Sequence, residues 1–187
     1  LSDQRKNIAS IVDKEINLEL PSLKLENAEF KTTISEDILS IDGQDKVIFK
    51  IRTNKNSELE ELKKITSGGE LCRFALAIKV VTSKKNSVSI VFDEVDSGIG
   101  GAVASAVGER LRRLGRNRQI LVVTHSPQVA SLGNEHFKVN KINRIEETLT
   151  MISKLEKNDR IKEIARMLSG KEITLEAEAA AIKLLEN

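Results

Sequence analysis

Hydrophobic positions recur at helical spacing through residues 2–20, where Ile8, Ile11, Val12, Ile16 and Leu20 interrupt a charged background. Apolar residues three and four apart share one helix face, so this segment predicts an amphipathic helix, and Pro21 predicts its stop. From Ala28 the period becomes two. Ala28, Phe30, Thr32 and Ile34 alternate with polar residues. A short segment covers Ile38 to Ile41, a turn covers Asp42-Gly43 and Gln44-Asp45, and Val47 to Ile51 forms the return strand of a β-meander. Arg52 to Glu58 is polar and predicts a loop. A helix then follows Ser67-Gly68-Gly69 and runs to about Thr82.

Two later runs are apolar without alternation: VSIVF within Ser87 to Phe92, and QILVVT over Gln119 to Thr124. Such runs predict strands covered on both faces. Between them lie a glycine loop, Gly98 to Gly101, and a helix from about Ala102 to Leu114. Strand, helix, strand with buried runs predicts a parallel α/β layer. Ser126-Pro127 starts a short helix, since proline suits a first turn. Two strands follow near His136 to Val139 and Leu149 to Ser153, then helices over 158–169 and 174–186 separated by Gly170. No internal repeat is visible. The predicted fold class is α/β: a parallel-sheet core flanked by helices, a β-meander, and an N-terminal helix stub.

Composition narrows this picture a little. The chain has 187 residues, 40% hydrophobic and 31% charged, enough apolar content for a real core. Lys+Arg is 30 against Asp+Glu 28, and this near balance neither demands nor excludes a nucleic-acid partner. No apolar run approaches ~18 residues, so no membrane span is expected, nor a signal peptide. The single cysteine, Cys72, forms no internal disulfide and suits a cytoplasmic setting. The chain begins at Leu1 inside a helical pattern, which reads as a piece of a longer polypeptide with residues 1–21 as the end of a coiled-coil arm and 22–187 as a lobe.

The chemistry sits at the strand ends. VSIVF ends in Asp93-Glu94. Sites in open α/β sheets lie beyond the carboxyl ends of the strands. Asp93 there could hold Mg²⁺, and Glu94 could polarise an attacking water; two solvated acids are the alternative. QILVVT ends in Thr124-His125, and His125 beside Glu94 could donate a hydrogen bond to an anionic oxygen. Ser67-Gly68-Gly69-Glu70 opens a helix whose first N–H groups lack intrahelical partners, a place suited to phosphate. An ordinary turn with a helix cap fits the same residues.

Taken in order, SGGE, a helix, an apolar strand ending in DE, Asp96 in a short glycine loop, and then T-H resemble the C-terminal half of an ABC-type ATPase head. Ile65 to Glu70 resembles the signature motif, Ser89 to Glu94 Walker B, Asp96-Ser97-Gly98 the D-loop, and His125 the switch histidine. Within that superfamily the resemblance is greatest to the RecN family of SMC-like DNA-repair ATPases. It is carried by ITSGGELCRFALAIK, FDEVDSGIGG, VVTHSPQVASLG and RIKEIARMLSG, and it spans essentially the whole chain. Cys72 stands where that family usually has serine, and Asn54-Lys55-Asn56 replaces a more typical Asn-Pro-Gly turn.

The resemblance implies ATP and Mg²⁺ as ligands, with Glu94 and His125 catalytic and Asp93 on the metal. It implies Ser67, Gly68, Gly69, Glu70 and Asp96 on nucleotide. No GxxxxGK[ST] occurs in this chain. The family carries that P-loop in an N-terminal (Walker A) lobe, so the implied partners are that lobe, a second head in a homodimer, and DNA. The implied location is cytoplasmic, at the nucleoid, and this piece alone is expected to be inactive. The rival readings are another SMC-like or ABC-type half, and a non-enzymatic dimerisation or DNA-binding module.

Other features add little. Arg110, Arg112, Arg113, Arg116 and Arg118 fit either a solvated helix end or a DNA-contact patch. Five Phe with no Trp or Tyr disfavour stacking on single strands. His136 reads as structural, no histidine–cysteine spacing suits zinc, and Ile161, Ile164, Ala165 and Leu168 read as core.

Overall fold

The computed structural model describes residues 1–41, 43–82, 89–116, 118–143, 148–170 and 172–186. Asp42 of the expected turn, and Ser87 and Val88 of the expected strand, lie outside them. Helix α1 (Ser2–Glu19) continues into a 3-10 turn at Leu20–Leu23 and stops where Lys24 turns left-handed at φ 59°. Ile16, Leu20 and Leu23 are buried.

Strands β1 (Glu29–Ser40), β2 (Gly43–Arg52) and the two-residue β3 (Glu60–Glu61) form an antiparallel sheet, with Phe30 opposite Ile51. The segment expected at Ile38 to Ile41 belongs mostly to the end of β1, where Ile38 and Leu39 are exposed. Side chains of α1 bind the free edge of β1. Asn17 accepts from Phe30 N–H at 2.9 Å and donates to Phe30 O at 2.8 Å, and Asp13 accepts from the Thr32 amide and hydroxyl. A strand edge left open exposes unpaired N–H and C=O groups; here the helix satisfies several of them.

Helix α2 (Gly68–Thr82) buries Phe74, Ala77, Val80 and Val81 in the core, as its apolar spacing requires. Strand β4 (Ile90–Asp93) pairs in parallel with β5 (Ile120–Val123), Asp93 opposite Val123, and helix α3 (Gly101–Gly115) connects them. Short helix α4 (Pro127–Ser131) follows, then the antiparallel hairpin β6 (Phe137–Asn143) and β7 (Thr148–Lys154), then α5 (Lys157–Ser169) and α6 (Leu175–Leu185). One core joins α1, β1, β2, α2, β4 and α3; a smaller one joins α5 to α6 through Ile164, Ala165, Ala177 and Ala181.

The parallel pair corrects one expectation. Ile90, Phe92, Ile120 and Val122 join the core, but Val91, Leu121 and Val123 are 54%, 48% and 57% exposed. The apolar runs are covered on one face only among the described residues. The alternation forced by the pleat survives in burial although it is absent from the sequence.

Candidate active site

Asp93 closes β4 and is exposed. Glu94 follows with φ 49°, left-handed backbone that non-glycine residues rarely adopt. Its N–H still bonds Val123 O at 3.1 Å, so the parallel ladder carries one residue past the strand end before the chain turns. Ser97 N–H then bonds Glu94 O, and Ile99 N–H bonds Asp96 O, folding Glu94–Ile99 into two tight turns. The left-handed step leaves Glu94 exposed while Val95 and Asp96 turn inward.

Asp96 is fully buried. Its Oδ2 accepts from Thr124 Oγ1 at 2.5 Å and from Ser126 N–H at 3.0 Å. Between those donors stands His125, 75% exposed at its side chain, with Nδ1 4.0 Å from the same oxygen. The loop after β4 is thus tied to the loop after β5, and His125 projects from the tie. In this structure the Asp96 carboxylate, expected against nucleotide, points inward and holds the Thr124 hydroxyl and the Ser126 N–H. Thr124 and Ser126 were not singled out in the sequence. Their polarity on either side of a histidine, directly after an apolar strand, was the available signal.

The start of α2 reaches the same loop. Leu71 N–H bonds Ser67 O at 3.0 Å, and Glu70 N–H reaches Ser67 Oγ at 3.5 Å, a long N-cap bond. Gly68 is exposed, and a Cβ there would meet nothing within 4 Å. Gly69 is buried, and a Cβ there would lie 2.8 Å from Ile99 Cγ2 and 3.0 Å from Gly98 O. The paired glycines therefore have different causes. Gly69 is required by the close approach of the Gly98–Ile99 loop, while Gly68 leaves the helix end open.

This donor set fits Mg²⁺ and phosphate in chemistry. An exposed carboxylate at Asp93 is a hard oxygen ligand, and Mg²⁺ usually takes one or two carboxylates, completing its shell with water and phosphate oxygens. Among the described residues no cluster of three or more His, Cys, Asp or Glu is built to hold a metal alone. The first-turn amides of α2, capped only by the long bond from Glu70 N–H to Ser67 Oγ, suit an anion.

Comparison with known proteins gives the same direction. No protein-family model matches the chain. The DNA repair protein RecN of Rickettsia prowazekii (strain Madrid E) is 43% identical over 176 residues, 93% of this chain and 32% of that protein. RecN of Haemophilus influenzae is 40% identical over 189 residues, covering 100% of this chain and 34% of its own length. The chain is RecN-like. It spans about a third of the length of the RecN relatives it matches. Among solved structures, one from work on ATP-driven dimerisation and DNA-stimulated activation of SMC ATPases matches with TM-score 0.67 at 12% identity, over 92% of this chain and all of that one. The Smc head domain of Pyrococcus yayanosii matches with TM-score 0.68 at 16% identity, over 89% and 30%. The RecN-like chain therefore has the fold of an SMC head lobe.

Proposed function

We propose that this chain is the C-terminal lobe of an ATP-hydrolysing head in a longer RecN-like DNA-repair protein. The observation that carries the reading is the arrangement of the strand ends: Asp93 and Glu94 are exposed at the end of β4, and His125 is exposed just past the end of the adjacent β5, on a loop that Asp96 holds. RecN relatives along nearly the whole chain support it.

In this reading Asp93 would hold Mg²⁺, which would supply positive charge to offset the negative charge on the phosphate oxygens. Glu94 accepts a proton from the attacking water. His125 donates a hydrogen bond to an anionic oxygen, and Asp96 keeps it in place. Ser67 and the amides after it receive phosphate oxygens, in a second head's site. The exposed Val91, Leu121 and Val123 face takes the lobe that carries the P-loop. Residues 1–21 form the foot of a coiled-coil arm. Leu1, Ile8, Ile11 and Leu18 are exposed along α1 at heptad spacing, apart from Val12, Ile16 and Leu20, which join the core, and so form a seam for a second helix. DNA is the proposed partner of the whole protein, a reading that rests on the naming of its relatives as DNA repair proteins. No helix of the described residues is long and apolar enough to cross a membrane.

The test is Mg-ATP hydrolysis by the longer polypeptide that contains this segment. Glu94→Gln should lower turnover by about 100-fold or more while ATP binding persists. Unchanged turnover would sink the assignment.

A further inference from the structure

Arg73 makes three hydrogen bonds that no catalytic role explains. Its Nη1 donates to Leu23 O at 3.1 Å and Lys24 O at 2.9 Å, and its Nε donates to Gly69 O at 3.2 Å. Leu23 and Lys24 end the helical run that begins with α1, and Lys24 is the left-handed residue that stops it. Carbonyls at a helix C-terminus lack intrahelical donors and sit at the negative end of its dipole. A guanidinium is the matching donor.

The other end of the contact leads toward the site. Gly69, which Arg73 grips, lies against Gly98 and Ile99. Ile99 N–H bonds Asp96 O, and the Asp96 carboxylate holds Thr124 and Ser126 on either side of His125. The foot of α1 has a second anchor. Glu19 takes a two-pronged bond from Arg110 of α3, at 2.6 and 2.7 Å, and α3 is the helix that emerges from the Gly98–Gly101 loop. Helix α2, which begins beside Gly98, and helix α3, which follows the Gly98 loop, are therefore both held by arginines to the foot of α1.

We infer that Arg73 is a positioning residue: through it, the foot of the N-terminal helix sets where the Ser67–Gly69 amides stand relative to the Asp96–Ile99 loop. The contact at Gly69 is tight, since an added methyl group would force Ile99 or the Gly98 carbonyl to shift. A tilt of α1 pulls on the Leu23 and Lys24 carbonyls, and Arg73 passes the displacement to the first turn of α2. The identity of the group bound at that turn rests on the function proposed above; the mechanical link does not.

Two measurements test this separately. The first is hydrogen exchange on this chain, comparing wild type, Arg73→Met and Arg73→Lys. Arg73→Met should speed exchange at residues 69–72 and 96–99 by about tenfold, the size expected when charge-assisted bonds are lost. Helices α5 and α6 should be unchanged, and Arg73→Lys should fall between. Acceleration confined to residues 20–25, spread uniformly over the chain, or absent would overturn the link. The second measurement uses the longer polypeptide. Arg73→Met should raise the protein concentration needed for half-maximal ATP hydrolysis by about tenfold, with kcat at saturation within about twofold of wild type. A fall in kcat at an unchanged midpoint would overturn the positioning role. No hydrolysis by the wild-type polypeptide would instead overturn the proposed function and leave the exchange result standing.

Discussion

Thr124 donates its hydroxyl to the buried Asp96 carboxylate at 2.5 Å, joining the loop after β5 to the loop after β4. The same hydroxyl oxygen lies 2.9 Å from the Ser126 N–H, so one side chain bridges both partners of that loop. Thr124→Val keeps the shape and removes the donor. A buried carboxylate that loses one of its two hydrogen bonds costs about 1–3 kcal/mol. Urea unfolding of this chain should show that loss for Thr124→Val and recovery of most of it for Thr124→Ser. Equal stability of Thr124→Val and wild type would show that the bond contributes nothing net.

The two adjacent glycines should respond oppositely to a methyl group. Gly69→Ala places a Cβ 3.0 Å from the Gly98 carbonyl, a backbone atom that cannot swing aside, so overpacking should cost about 1–3 kcal/mol. Gly68→Ala meets nothing within 4 Å and should leave stability unchanged or slightly raised, since alanine favours a helix. In the longer polypeptide Gly68→Ala should still impair ATP-dependent head pairing, because it crowds the open helix end. Thermal melts of the two variants check the first contrast, and ATP-dependent sedimentation checks the second.

Much of this was legible in the residues because local rules and tertiary structure agree. The helical period of residues 2–20, the alternation from Ala28, and the apolar runs ending in Asp93 and Thr124 all became the elements they predict. What was hidden depends on contacts between distant segments. The exposure of Val91 and Leu121 cannot be read from a run that is apolar on both faces. Asp96 looks like any loop acid until Thr124 and Ser126, distant in sequence, close over it. Gly69 looks like half of an anion loop until Gly98 lies against it. Arg73 looks like a solvated helix residue until the end of α1 arrives at its guanidinium.

Glu163 should make the chain acid-sensitive. It is buried on α5 and bonds Lys138 of β6 at 2.5 Å and Arg166 at 2.6 Å. Burial pushes its carboxyl up, but the bonds from Arg166 and Lys138 outweigh it and hold the group below its ordinary value. A carboxyl with a depressed folded pKa contributes stability above its unfolded value of 4.5, and that contribution fades as pH falls through the folded value. His136 nearby is held low by its burial and then by the Arg160 charge, so it is neutral at pH 7 and leaves the comparison there clean. Glu163→Gln should cost about 1–2 kcal/mol at pH 7, discounted because both cations are partly solvated. The gap between variant and wild type should narrow as pH drops below 4.5. Urea titrations at a series of pH values would show it, and a gap independent of pH would mean the charge is not the cause.

Glu94 occupies a backbone conformation that its own side chain disfavours, with φ 49°. A left-handed non-glycine residue costs about 1–2 kcal/mol, while glycine adopts that region freely at the expense of a more disordered unfolded chain. Glu94→Gly should therefore be as stable as wild type or up to about 1 kcal/mol more stable. Glu94→Gln keeps the strain and should match wild type. Glu94→Val adds a β-branch in the same region and should lose about 1–2 kcal/mol. If unfolding in urea ranks the variants Gly, Glu, Val in falling stability, the strain is real. Strain persists where the surroundings over-determine it, and it gathers at functional sites. Hydrolysis by the longer polypeptide then supplies the other half of the argument. Glu94→Gly should lose turnover as fully as Glu94→Gln, so the variant that relaxes the backbone would be the stable, inactive one. Full turnover with glycine at this position would mean that the carboxylate is dispensable and that the left-handed turn serves the loop alone.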